Sequence, residues 1–324
     1  MTIARTAFGD LPAVLVDELE AAGVAPQPVY DAIVLAVEED LPGGSTDVTS
    51  AATIPADAYG AAEFGARDHG VLAGLGVAEL VFRYVMGEEV VIRDRVADGT
   101  RVTAGEVVMR VEGPVAGLLT AERTALNFAC HLSGVATATA AWVDALDGTR
   151  ARVLDTRKTL PTYRALQKYA VRCGGGVNHR FSLSDMALVK DNHVVAAGGV
   201  LLAYRAVRAR YPDLPVEVEV TDLDQLRQLL DAGCERILLD NMSNATMAEA
   251  VRIADGRASL EASGGLTFDR AREVAETGVD FSSVGALTHS VKVFDIGMDL
   301  SPHQVTRFAP APAGTPNDLS EEVR

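Results

Sequence analysis

Three short runs gather cationic side chains: Asp155-Thr156-Arg157-Lys158-Thr159, His179-Arg180 and Lys190-Asp191-Asn192-His193. Arginine offers a planar fork of donors that pairs with the two oxygens of a carboxylate, and lysine adds a compact point charge. The chain around these runs carries a formal net charge of -16, and its only lysines are Lys158, Lys168, Lys190 and Lys292. Cations collected at one place in an acidic chain predict a pocket for a small, multiply charged anion. Composition leaves a solvated basic face open as the alternative.

A second set of polar residues follows short apolar runs. Glu219 stands in Val216-Glu217-Val218-Glu219-Val220, where alternation sets both glutamates opposite the valines and at least one needs a reason to be there. Asp240 ends Ile237-Leu238-Leu239 and could serve chemistry or cap the next helix. Ser263-Gly264-Gly265 precedes a helix expected near Thr267, and its glycines, with Gly285, would let backbone N–H groups approach a phosphate. Glycines also end strands, so that motif is weak alone. Cys173-Gly174-Gly175-Gly176-Val177-Asn178 before His179 reads as a loop that approaches a ligand or as a flexible connection. His69, His131 and His303 read as structural or surface residues, while His193 and His289 stay open. No His/Cys cluster has zinc spacing, and no nucleophile elbow or Walker sequence occurs.

The elements that must carry these residues fall into two patterns. Pro28 to Glu39 has helical spacing; Ala61–Arg67, Val90–Val96 and Glu106–Glu112 read as strands with a hairpin near Ala104-Gly105-Glu106; Leu118–Leu146 reads as a long helix bridging to a second domain. From Arg152 onward, strands at Val153-Leu154, Ala187–Val189, Val216–Val220, Ile237–Leu239, Ser259–Ala262 and Phe281–Val284 alternate with helices near Leu223–Ala232, Asn244–Ala254 and Phe268–Thr277. That alternation predicts right-handed βαβ units in a closed or nearly closed parallel barrel. Each strand then ends in one of the polar residues above, on the rim where such barrels build active sites. The expected organisation is an N-terminal domain over 1–128, a barrel over 129–290, a segment 291–300 returning to the first domain, and a mobile tail over 301–324.

With 324 residues and 48% apolar composition, the chain can bury a large core. Its negative charge disfavours nucleic acid and anionic membrane surfaces as partners. Cys130, Cys173 and Cys234 are odd in number and scattered, which fits reduced, buried thiols in the cytoplasm. No apolar run approaches the ~20 residues that span a bilayer. The N-terminal region looks somewhat like a lipoyl or biotinyl carrier, but it holds no lysine to carry the group.

The motifs at 155–159, 173–180 and 190–193, with Leu239-Asp240-Asn241, Glu261-Ala262-Ser263-Gly264-Gly265 and Glu122-Arg123-Thr124-Ala125-Leu126-Asn127, together resemble the quinolinate phosphoribosyltransferase family from about Pro28 to Leu300. The resemblance implies an N-terminal α/β sandwich, a C-terminal incomplete α/β barrel, and an obligate homodimer with shared sites. It implies a pentosyltransferase of NAD biosynthesis: quinolinate and phosphoribosyl pyrophosphate give nicotinate mononucleotide, pyrophosphate and CO2, with Mg2+ and no organic cofactor. By the same resemblance, Thr156, Arg157, His179, Arg180 and Lys190 would hold quinolinate, with Arg123 reaching in from the neighbouring subunit. Lys158 would stand between both substrates. Glu219 and Asp240 would face the ribose hydroxyls and Mg2+, and Ser263, Gly264, Gly265, Gly285 and His289 would hold the phosphoribosyl phosphate. Three other readings compete: a related enzyme acting on another acid, a Schiff-base lyase using Lys158 or Lys190, and a non-catalytic anion binder.

Overall fold

The structure, a computed structural model, describes residues 3–301 and 306–307. Its first half holds strands β1 (Ala58–Ala66), β2 (Gly70–Val71), β3 (Val91–Arg93), β4 (Arg101–Val102) and β5 (Val107–Pro114). The second holds β6 (Arg152–Leu154), β7 (Ala187–Val189), β8 (Val216–Val220), β9 (Arg236–Asp240), β10 (Ser259–Ser263) and β11 (Phe281–Ser283), followed by β12 (Ile296–Leu300) and β13 (Thr306–Arg307). Strands β12, β1, β5 and β3 form an antiparallel sheet, with β13 paired to the start of β1. Along β1 every second residue is buried, as for a sheet with one face on a core. The helix Leu75–Met86, buried almost throughout, fills part of that core, with the edge-to-face pair of Phe64 and Phe82 at its centre.

The second sheet is wholly parallel, in the order β6-β11-β10-β9-β8-β7. Its first strand thus pairs with its last, and the wall stays open between β6 and β7. The fold is an α/β fold joining a mixed N-terminal unit to an open parallel barrel. Valines 216, 218 and 220 of β8 are buried, and Glu217 is buried with them on the other face of the strand. The helix Val115–Ala145, 31 residues long, packs against Leu75–Met86 on one side and against the barrel helix Arg164–Cys173 on the other. The latter contact needs Gly174, because a Cβ there would fall on the carbonyl of Ala136. No helix among the described residues is long and apolar enough to cross a membrane.

Several local expectations change. Ala104-Gly105 does not close a hairpin: β4 pairs with β2 and β5 with β1 and β3, so the turn passes between sheets. Val90–Val96 shortens to β3, as Asp94 takes a positive φ. The helix expected over 268–277 is a 3₁₀ turn, Phe268–Arg270, followed by Ala271–Ala275. Cys130 and Cys234 are buried, but Cys173 is only half-buried. His303 and most of the tail lie outside the described residues, while Thr306-Arg307 pairs with β1.

Asp47 caps the helix Val48–Thr53 by accepting from the N–H groups of Thr49 and Ser50, and the Thr120 hydroxyl of the long helix donates to the same carboxylate at 3.2 Å. Asp47→Ala should lower the unfolding free energy by ~1–2 kcal/mol in urea titrations.

Candidate active site

At the C-terminal rim of the barrel lie two adjoining hollows. One, of ≈ 270 Å³, is lined by Thr156, Arg157, Lys158, His179, Arg180, Lys190 and Glu261, among others. The other, of ≈ 430 Å³, is lined by Glu219, Asp240, Asn241, Ser263, Gly264, Gly265, Gly285 and His289. Thr156, Lys158, Lys190, Ser263 and Ser283 face both, so Lys158 and Lys190 stand at the junction. The residues singled out in sequence therefore meet in one cleft, with a cationic side and a carboxylate-and-glycine side. Arg123 is the exception. It is exposed on the long helix and lines a separate hollow with Asn127 and His131.

The cationic side occupies the gap in the barrel wall. Val177 bridges Leu154 in parallel, with its N–H donating to Val153 O at 2.8 Å and its carbonyl accepting from Asp155 N at 3.2 Å. The glycine-rich loop is therefore a short quasi-strand that fills part of the seam and directs His179 inward. Behind it sits Asp155, fully buried, which accepts from Lys168 Nζ, from His179 N at 2.8 Å and from Asn178 Nδ2 at 2.6 Å. Lys168, equally buried, also donates to the His179 carbonyl at 2.9 Å. Burial pushes the Asp155 carboxyl up and the Lys168 ammonium down, and the charge of each opposes the shift of the other. One ion pair thus fixes the backbone on both sides of the pocket, next to Thr156-Arg157-Lys158 and at His179-Arg180.

Arg180 donates to Met186 O at 3.0 Å, and burial followed by the charge of Arg157 holds its guanidinium below the usual range. The Nε atoms of both arginines are buried without a hydrogen-bond partner. Two adjacent guanidiniums with unsatisfied donors are an arrangement that a carboxylate-bearing anion would relieve. Lys158 and Lys190 are exposed, which removes the desolvation a Schiff-base lysine would need. Lys158 is positioned by its backbone: its N–H donates to Thr156 Oγ1 at 3.0 Å, and its carbonyl accepts from Thr288 Oγ1 at 2.8 Å.

On the other side, Glu219 stands 3.6 Å from Lys190, and burial, then the negative charge of Asp240 against the pull of Lys190, raises its pKa. Asn241, at a positive φ of 52°, donates to Asp240 Oδ2 at 2.8 Å and through its backbone to Ser263 O at 3.0 Å. Gly264 has φ +90°, and a Cβ there would fall on the Asn241 amide. At Gly285 a Cβ would lie 3.0 Å from Lys158 Cδ and 3.1 Å from His289 Nε2. These glycines let strand ends and side chains close around a small volume.

His193 does not face this chemistry, because its Nδ1 accepts from Lys190 N at 2.9 Å and closes the first turn of Asp191–Ala197. His131 contacts Gln167 Nε2 at 3.0 Å, a structural role, and His69 is exposed. His289 lines the second hollow. Sequence reasoning noted Glu217 and Glu261 within their motifs but gave neither of them, nor Lys168, a place in the site. The side chains of Glu217 and Glu261 lie inside the barrel with His179 Nε2, at 2.8 Å and 3.4 Å, and all three are buried. The signal available for Lys168 was its place, one of four lysines, inside the cationic segment.

Models of the quinolinate phosphoribosyl transferase N-terminal and C-terminal domains match residues 47–133 and 135–299. The chain belongs to the quinolinate phosphoribosyl transferase family. It is 53% identical over 274 residues to the nicotinate-nucleotide pyrophosphorylase (carboxylating) of Mycobacterium leprae, covering 83% of this chain and 96% of that one. Identity to the chloroplastic nicotinate-nucleotide pyrophosphorylase (carboxylating) of Oryza sativa subsp. japonica is 40% over 301 residues, covering 86% and 80%. The solved nicotinate-nucleotide pyrophosphorylase of Francisella tularensis superposes with a TM-score of 0.82 at 37% identity, covering 86% of this chain and 98% of the other.

Replacing Lys168 with Met leaves the buried Asp155 unpaired and should cost ~3–5 kcal/mol of stability in urea unfolding, whereas Asp155→Asn combined with Lys168→Met should cost less than the sum of the two single changes.

Proposed function

We propose that this family member transfers the phosphoribosyl group of phosphoribosyl pyrophosphate to quinolinate with decarboxylation, giving nicotinate mononucleotide, pyrophosphate and CO2 in NAD biosynthesis. The observation that carries this reading is the divided cleft, with the Arg157–Arg180 pair on one side and Glu219, Asp240 and the glycine turns on the other. Arg157 and Arg180, with Thr156 and Lys190, would take the two adjacent carboxylates of quinolinate, while His179, with its ring nitrogens engaged by Arg180 N and Glu217, would shape the wall of the pocket rather than donate to the acid. Ser263, Gly264, Gly265, Gly285 and His289 would take the 5-phosphate. Departure of pyrophosphate leaves positive charge at the anomeric carbon, as in glycoside cleavage. Glu219 and Asp240 are placed to stabilise that charge, and Lys158, at the junction, to neutralise the leaving group. The ring nitrogen becomes cationic on bonding to the ribose and can accept the electrons released when the neighbouring carboxylate leaves. No organic cofactor enters this scheme.

Mg2+ fits the second hollow: Glu219 and Asp240 both line it with carboxylate oxygens, and burial, joined by the charge of Asp240, raises the Glu219 pKa, an arrangement a hard divalent cation would relieve. When bound, the ion would supply charge neutralisation to the pyrophosphate. We place the enzyme in the cytoplasm, acting as a homodimer without nucleic acid or membrane. The exposed position of Arg123, away from its own cleft, supports a site completed by a second copy.

Protein mixed with Mg2+, quinolinate and phosphoribosyl pyrophosphate should release CO2 and nicotinate mononucleotide in equal amounts, and a chelator should abolish this; no product in the complete mixture would refute the reading. Nicotinate, lacking one carboxylate, forgoes charge-assisted hydrogen bonds to the half-buried arginines worth ~1.5–3 kcal/mol, so its kcat/KM should be lower by about one to two powers of ten. Inactive Arg123→Ala and Lys158→Ala proteins, when subunits are exchanged, should regain up to about a quarter of wild-type activity, since one site in each mixed dimer is intact. No recovery after verified exchange would place Arg123 outside the neighbour's site.

A further inference from the structure

The barrel helix Arg164–Cys173 sends side chains to the N-terminal unit. The Tyr169 hydroxyl donates to Asp98 Oδ2 at 2.8 Å, and Asp98 also accepts from Gly74 N at 2.7 Å and Leu75 N at 3.1 Å at the start of the helix Leu75–Met86. Along the same helix, Arg172 lies over the Tyr169 ring, 5.8 Å from its centroid, and its Nη2 donates to the carbonyl of Ala22. Ala22 is the C-cap of the helix Ala13–Ala21, where the last carbonyls gather partial negative charge that a guanidinium satisfies. That helix is itself fixed. Leu15 and Leu19 are buried in the core, and Glu18 accepts from both Nη atoms of Arg95, at 3.0 Å and 2.6 Å.

The other arm of Arg172 points toward the cleft. Its Nη1 donates to Asn178 Oδ1, and Asn178 Nδ2 donates to Asp155 Oδ2 at 2.6 Å and to the Lys168 carbonyl at 2.8 Å. The carboxylate and the carbonyl only accept, and the guanidinium only donates, so a single orientation of the amide satisfies all three. We propose that Arg172 is a positioning residue for acid binding: it locks the Asn178 amide against Asp155 and fastens the His179-Arg180 segment to the end of the helix Ala13–Ala21. The inference rests on the reaction proposed above and names what holds its acid-binding wall. Arg172 lines neither hollow, so its effect on the acid passes through Asn178 and the backbone that follows it. Glu219, Asp240 and Ser263 stand on β8, β9 and β10, inside the paired ladder, and do not depend on this arm. The N-terminal helix is thereby part of the machinery that selects the acid, although it lies far from the cleft in sequence.

Arg172→Met keeps an unbranched apolar stem against Tyr169 and removes both hydrogen-bonding arms. Its KM for quinolinate should rise ~10-fold, while kcat and the KM for phosphoribosyl pyrophosphate stay within ~3-fold of wild type, and Arg172→Lys, which can reach only one of the two acceptors, should fall between. Adding Arg172→Met to Asn178→Ala should raise the quinolinate KM no further than Asn178→Ala alone, as for two residues acting through one contact. An unchanged quinolinate KM, equal rises in both KM values, or additive effects in the double variant would each overturn the proposal. If Arg172→Met does not fold, hydrogen exchange of the wild-type protein decides, because coupling between two sites is reciprocal: saturating quinolinate should slow exchange over residues 13–24 at least ~3-fold, and phosphoribosyl pyrophosphate alone should not. No slowing, or equal slowing by both substrates, rejects the link. Failure of wild-type protein to make any nicotinate mononucleotide would instead sink the parent reaction.

Discussion

The Asp155–Lys168 pair is the contact on which the geometry of the cleft depends. A carboxylate and an ammonium, both without solvent, satisfy each other and take up the backbone of the segment that crosses the open seam. Buried pairs of this kind are costly to desolvate and add little net stability, but removing one partner strands a charge. Their use here is positional. Asp155 directly follows β6, Lys168 lies on the next helix, and the shared His179 backbone belongs to neither, so one interaction ties the segments that bear Arg157 and Arg180.

Much of the barrel was legible because parallel strands buried on both faces read as short apolar runs, and because their polar terminators recur. The strands at Ala187–Val189 and Val216–Val220 and the helix Asn244–Ala254 fall where periodicity puts them. Phe268–Thr277 was less legible: its apolar spacing suits a helix, but the chain tightens to 3₁₀ geometry and shortens while turning away from Gly264-Gly265. The β-rich half also misled locally, since the Ala104-Gly105 turn looks the same whether its flanking strands pair with each other or with different sheets.

Within the site, the cations, Glu219, Asp240 and the glycines were legible because their types are unusual where they occur. Glu217 and Glu261 were not. Alternation placed Glu217 opposite the valines of β8 but could not say that β10 would set a second carboxyl beside it, since the pairing goes through β9 and His179 comes from a loop 38 residues before Glu217. Lys168 was equally obscure: on a helix it reads as an ordinary solvated lysine until the fold buries it.

The unclosed seam between β6 and β7 separates two design problems. The hollow bearing Glu219, Asp240 and the glycines is built on strands locked into a continuous hydrogen-bonded ladder, where a change in one spacing disturbs its neighbours. The loop that bears His179 and Arg180 joins that ladder through the Leu154–Val177 bridge and the Asp155–Lys168 pair rather than through a strand of its own. Lengthening or shortening that one connecting loop would therefore reshape the arginine-bearing wall while leaving the strands beneath the other hollow in register.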